Sequence, residues 1–302
     1  MRQRDWEASP DDTMETKMNM RMRIGLMAAA LAVAAWGQGA AVEQAERMFR
    51  KTDYQGALGV LKGQPRTPAV LFLEGRCLYY LADYKGAVET FEQLTVAEPR
   101  NGPYMNWLGK AWGRRAESAN VFQAPGFASR AREAFEKAVA LDATHRDSLE
   151  DLFQYYMDAP GMLGGGVDKA QRLLPLIQKA DPAGYHTALA QIAEKTRDYQ
   201  AAESHLKQAA MAVPRAAGKM VDLARFLARR GRVKEAEAVF GEVAKVAPSD
   251  RVRLYAQAEV YIETKTNQAE ARKLLAQYLA MPLTPDDPPR RDAEKLLKKL
   301  GG

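Results

Sequence analysis

Residues Val70 to Pro99 read VLFLEGRCLYYLADYKGAVETFEQLTVAEP, and small and large apolar residues recur there at helical spacing. Counted from Gly75, Leu71 lies four residues before and Leu78 three after; Ala87, Phe91, Leu94 and Pro99 follow at twelve, sixteen, nineteen and twenty-four. A 3.6-residue period puts each set on one face, so the stretch predicts two amphipathic helices with a turn at Ala82 and Asp83. One such pair cannot bury its apolar seam alone, which calls for neighbours of the same kind.

Those neighbours are found with the alanine that opens each second helix: Ala57, Ala87, Ala131, Ala170, Ala202, Ala236 and Ala271, separated by 30, 44, 39, 32, 34 and 35 residues. Four residues after each stands a large apolar one, namely Leu61, Phe91, Phe135, Leu174, Leu206, Phe240 or Leu275. Pro99, Pro182, Pro214 and Pro248 close units twelve residues after the alanine. This register resembles the tetratricopeptide repeat pattern W-x2-L-G-x2-Y, A-x3-F, P. In GPYMNWLGKAWGRRAE (Gly102 to Glu117), Leu108, Gly109 and Trp112 fall on its positions. The resemblance implies an all-α fold, a right-handed α-solenoid of about seven helix pairs over residues 42–282. A linker and a capping helix follow in 283–302, the cap carrying Ala293, Leu296, Leu297 and Leu300 on one face.

Composition agrees with a globular helical chain: 302 residues, 47% hydrophobic and 27% charged, with prolines spread mostly singly as punctuation. The net charge of +6 comes from 44 basic and 38 acidic residues, interspersed on most helices, which reads as a solvated surface. Ahead of the repeats, Met18 to Arg23 is short and basic, and Ile24 to Trp36 is an uncharged apolar run followed by GQGAA. That order is a secretory signal peptide over 18–41, with cleavage expected after Gly39 or Ala41. Thirteen apolar residues fall short of the ~20 that cross a bilayer, so no integral membrane span is expected after cleavage. The absence of a nearby cysteine and of adjacent arginines points to export as an unfolded chain to the periplasm or outside. Residues 1–17 read as a disordered extension or a mis-assigned start, with Met18 or Met20 the true one.

Two inserts explain the long spacings: Ser118 to Ser129 in the third unit and Asp158 to Ala170 in the fourth. Both contain Ala-Pro-Gly, and the second reads APGMLGGGVDKA, which resembles a group of exported bacterial tetratricopeptide proteins. Gly164, Gly165, Gly166 and Lys169 offer an anion site in principle, since backbone amides at a helix start attract negative charge. A nucleotide loop would need Lys and Ser or Thr directly after the last glycine, where Val167 and Asp168 stand, so that reading fails. A tight structural turn is the favoured reading. Exposed Phe122, Phe127, Met162 and Leu163 would offer a partner contact instead.

Catalytic chemistry is not written in the chain. His145, His186 and His205 stand far apart, Cys77 has no histidine nearby, and no nucleophile elbow or dinucleotide loop occurs. No enzyme, no metal and no cofactor is expected. The resemblance instead places a groove on the first helix of each unit, at Arg76, Tyr80, Asn106, Lys110, Arg114, Gln154, Gln191, Arg225, Arg229 and Tyr255. Asn106, Lys110 and Arg114 share one helical face beside Arg76, a cluster suited to an acidic peptide or a chain-terminal carboxylate. The expectation is therefore an exported scaffold binding a protein or extended peptide in the envelope of a bacterium of Gram-negative type. The alternative is a module for an anionic glycan or small molecule. Nucleic acid fits the charge but not the signal peptide.

Overall fold

The computed structural model describes residues 39–212 and 217–301, and among these no strand occurs. The expected extension, nearly all of the signal segment and Pro214 lie outside the described residues. Helix α1 covers 39–50. It is followed by α2 (Tyr54–Leu61), α3 (Pro68–Tyr80), α4 (Tyr84–Ala97), α5 (Gly102–Ser118), α6 (Ala124–Leu141), α7 (Arg146–Asp158) and α8 (Val167–Ala180). Helices α9 (Pro182–Lys195), α10 (Tyr199–Ala212), α11 (Ala217–Arg229), α12 (Val233–Val246), α13 (Arg251–Glu263), α14 (Gln268–Ala280) and α15 (Arg290–Leu300) complete the chain. Odd and even helices pack in pairs from α3/α4 to α13/α14, each pair rests on the next, and α15 lies across α13 and α14. This is the solenoid of helix pairs with a terminal cap that the register predicts.

The turn inside a pair has a repeating device. Thr52, Ala82, Arg197, Gly231 and Lys265 all take positive φ, between 56° and 76°, five or six residues ahead of the alanine of the next helix. Only Gly231 does so freely; for the others a left-handed residue costs roughly 1–2 kcal/mol. Asp53, Asp83 and Asp198 then accept the amide hydrogen of Gly56, Gly86 and Ala201, capping the second helix.

All seven alanines of the register are fully buried. The reason is visible at Gly75 and Gly109: a Cβ there would stand 2.7 Å and 2.6 Å from the rings of Phe91 and Phe135. A small residue on the first helix thus lets the large one on the second lie flat across it. Ala45, Ala190, Ala224 and Ala258, all nearly inaccessible, hold the corresponding places in four other pairs. In the fourth pair Phe153 stands there, and the expectation for Leu174 fails: it is half-buried, while Leu173 and Ile177 take the interior.

The first insert also differs from expectation. Most of Ser118 to Ser129 is helix, not loop. Asn120 accepts the amide hydrogens of Phe122 and Gln123 at 3.1 Å, and Pro125 fits the first turn of α6, where its missing N–H is not needed. The extra length goes into α5 and α6, of 17 and 18 residues.

Candidate interaction groove

The first helices place several of the expected groove residues along a succession of cavities. Tyr80, Lys110 and Arg114 line one of about 530 Å³. Lys110, Arg114 and Gln154 line a second of about 350 Å³, and Gln191, Arg225 and Arg229 a third of about 300 Å³. A smaller apolar one lies between α7 and α9, walled by Leu149, Phe153 and Ile177. Phe153, in its wall, stands at the position that is glycine or alanine in the other pairs.

The basic cluster is largely matched from within. Lys110 Nζ lies 3.0 Å from Asp151, and Asn106, 2% exposed, donates to the same carboxylate at 2.7 Å. Asp151 thus stands where the carboxylate of an acidic ligand was expected. Arg76 is stacked on Phe49 at 4.1 Å and near Phe72 and Trp107, with Glu46 3.7 Å away. Arg114 meets Glu117 and the Tyr84 hydroxyl; Arg225 meets Glu259 at 2.8 Å and Arg229 meets Glu194 at 2.9 Å. Tyr255 is not on the groove wall: it is 8% exposed and packs on Tyr278.

The inserts form one unit rather than two loops. The Tyr155 hydroxyl lies 3.1 Å from the Ala128 carbonyl in the first and 2.8 Å from that of Leu163 in the second. Phe127 is half-buried in α6 against Trp112, so its expected exposure is corrected, and Leu163 is likewise half-buried. Phe122 and Met162 are exposed, at 92% and 91%. In the glycine turn the amides of Gly164, Gly165 and Gly166 donate to Gly161, Pro160 and Tyr156, and Lys169 Nζ donates to the Gly164 carbonyl at 2.8 Å. Three amides and an ammonium that would hold an anion are spent on the turn. Gly164 and Gly166 supply positive φ, 86° and 144°.

Sequence reasoning missed the pairing of two histidines and the setting of Asp222. His186 and His205 stack with ring centroids 5.9 Å apart, and burial, helped by His205, holds the His186 imidazole below its usual range. Cys77, by contrast, is the small core residue that its place inside a helix suggests, and burial pushes its thiol up to about 12, which makes it a poor nucleophile. Asp222, among Lys219, Arg225 and Arg229 in the third cavity, has its carboxyl raised by burial, against the pull of those cations. The unfolded chain ionises this group at lower pH than the folded one, so its stabilising contribution is lost as pH rises through that interval. Asp222→Asn is expected to raise Tm at pH 7 by roughly 2–4 °C per kcal/mol recovered, with no gain at pH 3; a lower Tm at pH 7 would show that the cations outweigh burial.

Among the described residues no helix is long and apolar enough to cross a membrane, and no cluster of three metal-ligating side chains occurs. Residues 194–260 match the tetratricopeptide repeat family. No curated protein matches the chain in sequence. Among solved structures, a tetratricopeptide repeat protein from Parabacteroides merdae aligns with a TM-score of 0.58 at 13% identity, over 88% of this chain and 100% of that one. A thermophilic tetratricopeptide repeat protein from Thermus thermophilus aligns at 0.53 and 18% identity, over 63% and 98%. The chain therefore has the α-solenoid fold of the tetratricopeptide repeat proteins, and residues 194–260 carry that family's sequence signature.

Proposed function

We propose that the protein is an exported scaffold of the bacterial cell envelope, which holds a protein or an extended peptide along its first-helix groove. The observation that carries this reading is the run of cavities along α3, α5, α7, α9 and α11, lined by aromatic and polar side chains rather than by a compact catalytic group. Folds of stacked helix pairs generally serve protein–protein interaction through such concave surfaces. Export rests on the basic and apolar order of residues 18–41, ahead of a chain whose one cysteine, Cys77, is buried. Because the groove cations are already paired, partner recognition rests on shape, aromatic contact and hydrogen bonding more than on net positive charge.

The test has two parts. N-terminal sequencing of the protein recovered from the periplasmic or secreted fraction should begin at residue 40 or 42; recovery only from the cytoplasm, with Met1 in place, would sink the address. A Gln154→Trp/Gln191→Trp chain then plugs the groove without breaking an ion pair. Cross-linking from intact envelopes should capture a protein with the parent chain and lose at least tenfold of it with the plugged one. Equal capture would move the interaction off this stretch of the groove, to the cavity lined by Tyr80 and Trp107 or to the exposed insert tips at Phe122 and Met162.

A further inference from the structure

The cavity of about 530 Å³ has two walls from opposite ends of the chain. One is aromatic: Tyr54, Tyr79, Tyr80, Tyr84 and Trp107 from the first three pairs, with Lys110 and Arg114 at its edge. The other is the linker 283–290, with Pro285, Pro288 and Pro289 turned toward the same space. The solenoid curves far enough to bring its two ends face to face.

The linker is fixed to its own end. Asp287 pairs with Arg251 at 3.0 Å and accepts from Thr284. The Tyr278 hydroxyl donates to the Pro288 carbonyl, and Arg290 donates to that of Leu279 at 2.9 Å. Among the described residues no hydrogen bond or ion pair joins the two walls. Asp286 is exposed, and both its charge and that of Lys110 reach the Tyr80 phenol, so opposite charges flank the same ring across the gap.

The aromatic wall has donors to spare. Tyr54 and Tyr80 stack at 5.0 Å and Tyr79 sits edge-on to Trp107 at 5.5 Å. Among the described residues the hydroxyls of Tyr54, Tyr79 and Tyr80 have no hydrogen-bond partner. Burial pushes the Tyr79 phenol up to about 12 and raises the other two, so all three remain protonated donors at neutral pH. Flat apolar rings with unpaired donors suit a chain with no internal hydrogen bonds: its carbonyls need donors, and proline rings lie flat on aromatic faces. A helix has spent its carbonyls and gains little from such a wall.

We propose that the slot between the aromatic face of the first three pairs and the linker 283–290 is a docking site for an extended, proline-containing segment of a partner protein. This rests on the scaffold reading above and names the chemistry of its partner. The bound segment bridges the two ends of the solenoid, so the linker acts as the second jaw of a clamp.

The probe is a fluorescein-labelled octaproline peptide, read by anisotropy with the full chain, beside a Gly-Ser peptide of equal length. Octaproline should bind at least tenfold tighter than the Gly-Ser peptide. The Tyr54→Phe/Tyr79→Phe/Tyr80→Phe chain, which keeps every ring and loses only hydroxyls, should bind octaproline about tenfold more weakly at unchanged helical content. Hydrogen exchange of the parent chain should slow in α2, α3 and residues 284–287 together on adding the peptide. Equal affinity for the two peptides overturns the proposal, as does protection of one wall alone. Capture of an envelope protein together with no binding of octaproline overturns the slot and leaves the scaffold standing. Octaproline binding with no envelope capture supports the slot and overturns the envelope partner of the scaffold reading.

Discussion

Phe91→Ala should destabilise the second helix pair by about 3 to 5 kcal/mol, the range for truncating a buried aromatic ring. Phe91 is fully buried and its ring lies against Gly75, which has no side chain to move into the space left behind. The neighbouring rings of Phe72 and Trp107, centred 6.4 Å and 5.9 Å away, are held by their own stacking and by Arg76, so collapse into the hole is limited. In a stack where each pair rests on its neighbours, the loss at one seam uncouples what lies on either side. Urea unfolding followed by tryptophan fluorescence and by far-ultraviolet circular dichroism should give one shared transition for the parent chain and separated ones for the variant. A single coincident transition shifted by under 1 kcal/mol would mean that the seam repacks around the missing ring.

Gly165→Val should be the most damaging substitution in the inserts. A Cβ at Gly165 would lie 1.9 Å from the carbonyl oxygen and 2.6 Å from the carbonyl carbon of Ala159, and backbone atoms cannot swing aside as the tip of a side chain can. The turn must open, breaking the hydrogen bonds that the Gly165 and Gly166 amides donate to the Pro160 and Tyr156 carbonyls and moving the Leu163 carbonyl away from Tyr155. The expected loss is about 3 kcal/mol, at the top of the range for forced overpacking. Gly126→Ala and Gly161→Ala are the controls, since nothing lies within 4 Å of a Cβ at either position; they should stay within about 0.5 kcal/mol of the parent. Equal effects at the three positions would mean that the insert is not a packed unit.

The repeat register, the pairing of helices and the terminal cap follow from the sequence by itself. Each rests on short-range periodicity: Ala87 with Phe91, or Ala236 with Phe240, is a four-residue relation that sets a helix face wherever the chain goes. The recurrent small residue, Gly75 or Ala224, announces which face the next helix crosses. The fate of the groove was decided by tertiary structure alone. Arg76 meets Glu46, Lys110 and Asn106 meet Asp151, Arg225 meets Glu259 and Arg229 meets Glu194. In each case the acid lies on the first helix of a neighbouring pair. A search for acids one repeat away would have flagged them, because stacking turns a repeat-length separation in sequence into side-chain contact. Burial of Tyr255, stacking of His186 on His205, and the meeting of the linker with the aromatic face had no such local trace. They depend on how far each pair rotates on the one before, a quantity set by the packing of every seam together.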